Sequence, residues 1–117
     1  MAKIQITNLK LRAIIGTNDW ERKHKQDIVI NITIDYAAGK SVKSDEIKDT
    51  LDYKTLTKKI IKEVEGSQYF LLEKLCHQIL AIVLESPKVK EASVRVDKPN
   101  ALRFADSVSV ELSDKRK

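Results

Sequence analysis

The chain has one cysteine, three glycines, two prolines and few aromatics, and each scarcity excludes something. A lone Cys76 cannot form a disulfide within the chain and fits a reducing compartment. So little glycine and proline argues against disorder, collagen-like repeats or a Gly-rich phosphate loop; no Walker, GxGxxG or GxSxG motif is present. Apolar runs extend for only a few residues, far below the roughly 20 that a spanning helix needs. Met1-Ala2-Lys3-Ile4 lacks the apolar stretch of a secretory leader, so the expected location is cytoplasmic, with no membrane partner. What remains is 117 residues, 42% hydrophobic and 33% charged, which predicts one soluble domain over 1–117.

The net charge of +5 comes from 22 basic and 17 acidic residues, interleaved along the chain. This patterning reads as a solvated surface, with a frayed basic tail at Lys115-Arg116-Lys117. A basic nucleic-acid-binding module is the reading from another class. Two Phe and three Tyr make a poor stacking platform, and no basic helix face stands out, so no nucleic-acid partner is expected. A purely structural ring-forming protein is the third reading.

Periodicity supplies the architecture. Ile4 and Ile6, then Leu9, Leu11, Ala13 and Ile15, alternate with polar residues, and the phase flips at Thr7-Asn8, which predicts a bulge or bend in one long strand. Gly16-Thr17-Asn18-Asp19 is turn chemistry, followed by a strand over 27–36 with Ile28, Ile30, Ile32, Ile34 and Tyr36 on one face. Residues 37–50 read as a polar loop containing at most a short turn. Asp52 is placed to cap a helix reaching Glu65, Gly66 to end it, and a second helix is predicted over 70–84, stopped by Pro87. Strands over 89–97 and 107–112 complete a ββααββ order. The predicted fold is α+β: an antiparallel four-stranded sheet with two helices on one face. Its open edges predict pairing with neighbouring chains.

Metal chemistry finds no footing in the pattern. His24, His77 and Cys76 show no ligand spacing, and the adjacent Cys76 and His77 would not face each other on a helix. Cys76 lies on the apolar stripe, so its expected role is packing. Four segments are unusual: Trp20-Glu21 beside the first turn, Tyr53 at a helix start, Glu73 in the first turn of a helix, and Lys98 at a strand end before Pro99. Each also has a bland reading. Trp20 and Tyr53 can simply pack, Glu73 can complement the helix dipole, and Lys98 can be merely exposed.

Taken together, the blocks IGTNDWER at 15–22, QDIVINITID at 26–35, TLDY at 50–53, FLLEKL at 70–75 and DKPNALRFADSV at 97–108 resemble the dihydroneopterin aldolase/epimerase family, from Ile4 to Leu112. The resemblance implies the tunnelling fold, in which subunits join their sheets into a barrel. It also implies a homo-oligomer (tetramer or octamer) with sites between chains. It implies retro-aldol cleavage of 7,8-dihydroneopterin between C1′ and C2′, giving 6-hydroxymethyl-7,8-dihydropterin and glycolaldehyde in folate biosynthesis. No metal, cofactor or lysine Schiff base is implied, because the conjugated C=N of the pterin accepts the electrons.

Carried over position by position, Lys98 is the proton-relaying lysine. Tyr53 orients the side-chain hydroxyl and helps protonate the enol-like intermediate, and Glu21 is an acid near the relay water. Glu73 is the pterin anchor, its carboxylate accepting two N–H bonds from the amino-pyrimidine edge; Leu72 beside it belongs to the same substrate-binding set. A lysine of ordinary pKa near 10.4 is a poor base at neutral pH, so burial or a positive neighbour is expected at Lys98. DWE at 19–21 resembles bacterial aldolases, whereas QDIVINITI, FLLEKL and ALRFADSVS resemble dihydroneopterin triphosphate 2′-epimerases. The resemblance therefore implies an aldolase with accompanying epimerase activity, with a triphosphate 2′-epimerase as the alternative. For a triphosphate, Arg22, Lys23 and Arg103 are the candidate cations at the site mouth.

Overall fold

The computed structural model describes residues 1–116. Strands β1 (Ala2–Ile15), β2 (Gln26–Tyr36), β4 (Val89–Pro99) and β5 (Ser107–Lys115) are long and antiparallel; the two helices α3 (Tyr53–Glu65) and α4 (Leu72–Leu84) pack on one face. The four expected strands are joined by a fifth, β3 (Gln68–Tyr69), which pairs parallel with Ile14–Ile15, so the sheet is mixed, in the order β3-β1-β2-β4-β5. Two residues carry no periodicity, which is why the sequence pattern misses β3. Helix α1 (Asp19–Lys23) fills the first turn. Helix α2 (Gly39–Ser44) and a 3-10 turn at Ile47–Asp49 occupy the segment expected to be mostly loop.

The bulge falls where the phase flip predicts it. Register shifts between Ile6 and Leu9, and Asn8 takes a left-handed φ of 54°, which asparagine tolerates better than most residues. Its backbone N–H donates to Asn31 Oδ1 at 2.9 Å, and the Asn31 amide donates back to Asn8 Oδ1 at 3.2 Å. Because side chains alternate across a strand, this one-residue adjustment keeps both halves of β1 facing the helices. The core then runs through Ile28, Ile30, Ile32 and Ile34 of β2, Val94 and Val96 of β4, Ile60 and Val64 of α3, and Leu75, Ile79 and Val83 of α4.

Helix α3 starts as expected, the Asp52 carboxylate accepting from the backbone N–H of Lys54 (3.1 Å) and Thr55 (3.2 Å). Cys76 is buried, its thiol donating to the Val94 carbonyl at 3.1 Å, and burial pushes the thiol pKa up; it packs. The basic tail is not frayed at Lys115 and Arg116. Lys115 ends β5, and the Arg116 side chain donates to the carbonyls of Val89 (3.0 Å), Ser86 (2.9 Å) and Leu84. Lys117 lies outside the described residues.

Opposite the helices the sheet is polar. Lys3 pairs with Asp35 at 3.3 Å, Arg95 with Asp97 at 3.0 Å, and Ser107 donates to Asp97 at 2.7 Å. That face needs no apolar cover. The radius of gyration, 15.5 Å, exceeds the roughly 13 Å usual for a compact domain of this length. Among the described residues, no helix is long and apolar enough to cross a membrane.

Ile30 sits fully buried at the centre of this packing. Ile30→Ala is expected to lower stability by about 2–5 kcal/mol, read from the urea midpoint at constant m.

Candidate active site

The apolar row of β4 that faces the helices, Ala92, Val94 and Val96, continues to Lys98, so a row of core residues ends in a charge. Its partner is Glu21 of α1, which forms an ion pair with the Lys98 ammonium while both side chains are mostly buried. Glu21 is the one buried charged or polar residue among the described residues, 9% exposed.

Local structure delivers it there. Gly16 leaves β1 with φ of 126°, a conformation for glycine, and any Cβ at that position would collide with the Glu21 carboxylate. The Asn18 backbone N–H then donates to Glu21 Oε1 at 3.3 Å, which folds the carboxylate back over the first turn of α1. Gln26, the first residue of β2, spans the remaining gap, its amide donating to Glu21 Oε2 at 3.0 Å and to the Ile15 carbonyl at 2.8 Å. The Lys98 hydrogen bond, helped by those of Gln26 and Asn18 and opposed by burial, holds the Glu21 carboxyl at about 2 instead of its ordinary 4.5. Lys98 thus has the burial that the sequence reading asks for, but its charged neighbour is an acid and not a positive group.

Glu73 and Leu72 lie at the same end of the molecule. Strand β3 hydrogen-bonds to the last residues of β1, the Gly16 N–H donates to the Tyr69 carbonyl at 3.3 Å, and α4 opens three residues later. Leu72 is half-buried against the core. Glu73 is exposed in the first turn of α4, where the helix dipole favours a carboxylate; among the described residues it forms no ion pair.

Tyr53 lies elsewhere. It opens α3 at the opposite end, half-exposed, beside a cleft of about 580 Å³ that Asp52 and Thr55 share with Ser86 and Lys88. The Lys88 ammonium donates to the Thr50 carbonyl at 2.7 Å, fixing that end to the start of β4. From Val89 to Lys98 the strand extends roughly 30 Å. One chain therefore gathers Glu21, Lys98, Leu72 and Glu73 at one end and holds Tyr53 at the other.

The candidate cations also sort themselves. Arg22 donates to three backbone carbonyls, Gly16 (3.1 Å), Tyr69 (3.0 Å) and Gln68 (2.6 Å), and lies on the face of Phe70, so most of its donors are already engaged. Arg103 lies over Phe104, 5.2 Å from the ring centroid, and Lys23 is exposed. Trp20 stacks on His24 with centroids 5.2 Å apart. The sequence pattern assigns no site role to Gln26 and reads Gly16 only as turn chemistry, although Asn18-x-x-Glu21 is a capping spacing that predicts the folded-back carboxylate. No three His, Cys, Asp or Glu side chains among the described residues gather as a metal-holding group.

An α+β sheet of this topology, with an acid–lysine pair at the strand ends, defines a class that sequence comparison identifies. The family model described as dihydroneopterin aldolase matches residues 4–113, and the chain belongs to that family. Two curated relatives are dihydroneopterin triphosphate 2′-epimerases. That of Pseudomonas aeruginosa is 47% identical over 99% of this chain and 94% of its own; that of Escherichia coli K12 is 50% identical over 98% and 96%. The crystal structure of E. coli dihydroneopterin aldolase in complex with neopterin superposes with a TM-score of 0.92 at 26% identity, covering 97% of this chain and 99% of that one.

The depressed carboxyl pKa of Glu21 makes its pair a source of stability that is fully present above about pH 4.5 and is lost as pH falls toward about 2. Its size is on the order of 3 kcal/mol. Glu21→Gln leaves Lys98 buried without its counter-charge, so the variant is expected to be less stable than the parent at pH 7. The gap should close near pH 2, as read from urea unfolding across that range.

Proposed function

We propose that this chain is a pterin enzyme that breaks the C1′–C2′ bond of a dihydroneopterin-type substrate by a retro-aldol step, the whole chain acting as one catalytic domain. The observation that carries the reading is the buried Glu21–Lys98 pair, set at the same end of the molecule as the helix start that bears Leu72 and Glu73. Glu73 accepts the two N–H bonds of the amino-pyrimidine edge, and the dipole of α4 supports its charge there. Leu72 offers apolar surface beside it. The substrate's 2′-hydroxyl gives its proton through water to the Lys98–Glu21 pair as C1′–C2′ breaks. The bonding electrons pass into the ring C=N, and C2′ becomes the aldehyde carbon.

The intermediate then has two fates. Protonation at C1′ gives the hydroxymethylpterin and free aldehyde, the aldolase outcome. Rejoining the retained aldehyde through its opposite face inverts C2′, the epimerase outcome. Identities of 47 and 50% to the two epimerases, against 26% to the aldolase of known structure, favour inversion of the triphosphate as the preferred outcome. Asp19-Trp20-Glu21 favours the aldolase outcome as an accompanying activity. Product analysis with dihydroneopterin and its triphosphate side by side decides the partition; no conversion of either would remove the reading.

A second copy of the chain completes the site on this reading. Tyr53, at the opposite end of the chain from Lys98, reaches the pair only from a neighbour. The edges of β1 and β5 offer unpaired backbone for joining sheets, since β3 covers only Ile14–Ile15. A barrel closed in this way, as a tetramer or a stacked octamer, would put the polar sheet face inside and the helices outside.

Two measurements follow. Glu73→Ala is expected to weaken binding of 6-hydroxymethyl-7,8-dihydropterin by about 2–4 kcal/mol, given roughly 1.5–3 for a charged hydrogen bond. Lys98→Ala should leave that binding nearly intact and lower cleavage and epimerisation together. Tyr53→Phe and Lys98→Ala chains, each impaired alone, are expected to regain activity when dissociated, mixed and reassembled. No recovery in mixed oligomers, or a fully active monomer in sedimentation, would rule out the shared site.

A further inference from the structure

Arg22 makes more directed contacts than any other side chain near the pair, and no step proposed above uses it. Its Nη1 donates to the carbonyls of Gly16 at 3.1 Å and Tyr69 at 3.0 Å, and its Nη2 to that of Gln68 at 2.6 Å. The guanidinium plane also lies 3.9 Å from the centroid of Phe70. These partners belong to the end of β1 and to the segment leading into α4, while Arg22 itself belongs to α1. One side chain thus joins three pieces of backbone.

What it joins is informative. Glu21 immediately precedes Arg22, and Leu72 and Glu73 follow Phe70 by two and three residues. The Glu21 carboxylate has its own anchors in Lys98, Gln26 and Asn18. Holding the carboxylate therefore does not require Arg22. The β1–β3 ladder and the Gly16 N–H to Tyr69 carbonyl bond hold residues 68–70 to the end of β1, and Arg22 is the side chain that ties α1 itself to that segment.

We infer that Arg22 is a positioning residue that sets the spacing between the Glu21–Lys98 pair and the Glu73 anchor, acting through α1 and the 68–70 segment without touching substrate. The inference rests on the functional reading above. A substrate held at its ring by Glu73 presents its C2′ hydroxyl to Lys98 only if that spacing is right, and a misplacement of about 1 Å can cost on the order of 100-fold in rate. Lysine is not a substitute. An ammonium concentrates its donors at one atom, so it does not reproduce the separated Nη1 and Nη2 contacts to Gly16, Tyr69 and Gln68, and it has no plane to lay on the Phe70 ring.

The test uses the full-length oligomer with Arg22→Met and Arg22→Lys, at a temperature where circular dichroism shows both folded. Single-turnover conversion of dihydroneopterin and its triphosphate is expected to slow by at least about tenfold in both variants. The affinity for 6-hydroxymethyl-7,8-dihydropterin should change less than about threefold, because Glu73 is intact. The Glu21 carboxyl, followed by carbon NMR, should keep titrating near its parent value of about 2, because the pair is intact. Trp20, the only tryptophan and a neighbour of Glu21 on α1, should change its emission as that helix moves.

Parent rates with only a lower melting temperature would overturn the inference and leave Arg22 a stabilising residue. So would a Glu21 titration that returns to the ordinary carboxylate range, since Arg22 would then be holding up the pair itself. If Arg22→Met fails to fold, Arg22→Lys decides alone: the slowed rate supports the inference, and a full rate overturns it. A parent protein that converts neither substrate overturns the functional reading and this inference with it. An active parent beside full-rate variants overturns this inference alone.

Discussion

The Glu21–Lys98 ion pair is the constraint around which the candidate site is arranged. Removing two charges from water costs several kcal/mol per ion, and their attraction offsets this only where the remaining hydrogen-bonding capacity is also met. Here Gln26 and the Asn18 N–H meet it on the carboxylate. That requirement dictates details with no other evident purpose: a glycine at 16, because a side chain would occupy the space of the carboxylate; a short helix, to turn Glu21 inward; and an amide at the first position of β2. A hydrophobic pair of similar volume would serve stability as well or better. On the proposed reading, the charge retained at the end of a core row serves chemistry.

The remainder of the fold sets where the other groups stand relative to that pair. Helices α3 and α4 run in opposite directions on one sheet face, so the start of α4 lies beside the pair and the start of α3 lies at the far end. A compact domain can bring distant sequence positions together within one chain. This elongated open sheet cannot bring Tyr53 and Lys98 together, and the uncovered strand edges together with the polar sheet face offer a physical route by which copies could do so.

Much of this is legible in the sequence. The one-residue phase flip in β1, the Asp52 cap and the apolar stripes of both long helices are local patterns with local causes, and each appears where its spacing predicts. Strand β3 was not legible, because two residues cannot display a period of two. Helices α1 and α2 are five and six residues long, too short for a periodic signal. Arg116 looked like solvated charge because its partners, the carbonyls of Leu84, Ser86 and Val89, are invisible to a side-chain pattern. The carbonyl partners of Arg22 are hidden from the sequence pattern for the same reason. Within the candidate site, the types and approximate sequence contexts of Glu21, Glu73 and Lys98 could be read, but which of them share an end of the molecule with one another depends on helix direction and strand order.

On the proposed reading, the catalytic set cannot by itself decide which product leaves. The acid–lysine pair and the pterin anchor serve the cleavage of C1′–C2′, and both outcomes pass through that step. What separates them is a competition, between protonating the intermediate at C1′ and turning the retained aldehyde before it rejoins. A tenfold preference in such a competition corresponds to only about 1.4 kcal/mol between two barriers, no more than one ordinary hydrogen bond. A difference that small can be distributed over residues that hold the departing aldehyde and its charge, none of which need resemble a catalytic group. Similarity along the whole chain therefore carries more information about the preferred outcome than the identity of the reacting side chains, which is why the high identity to epimerases outweighs a three-residue likeness to aldolases beside Glu21.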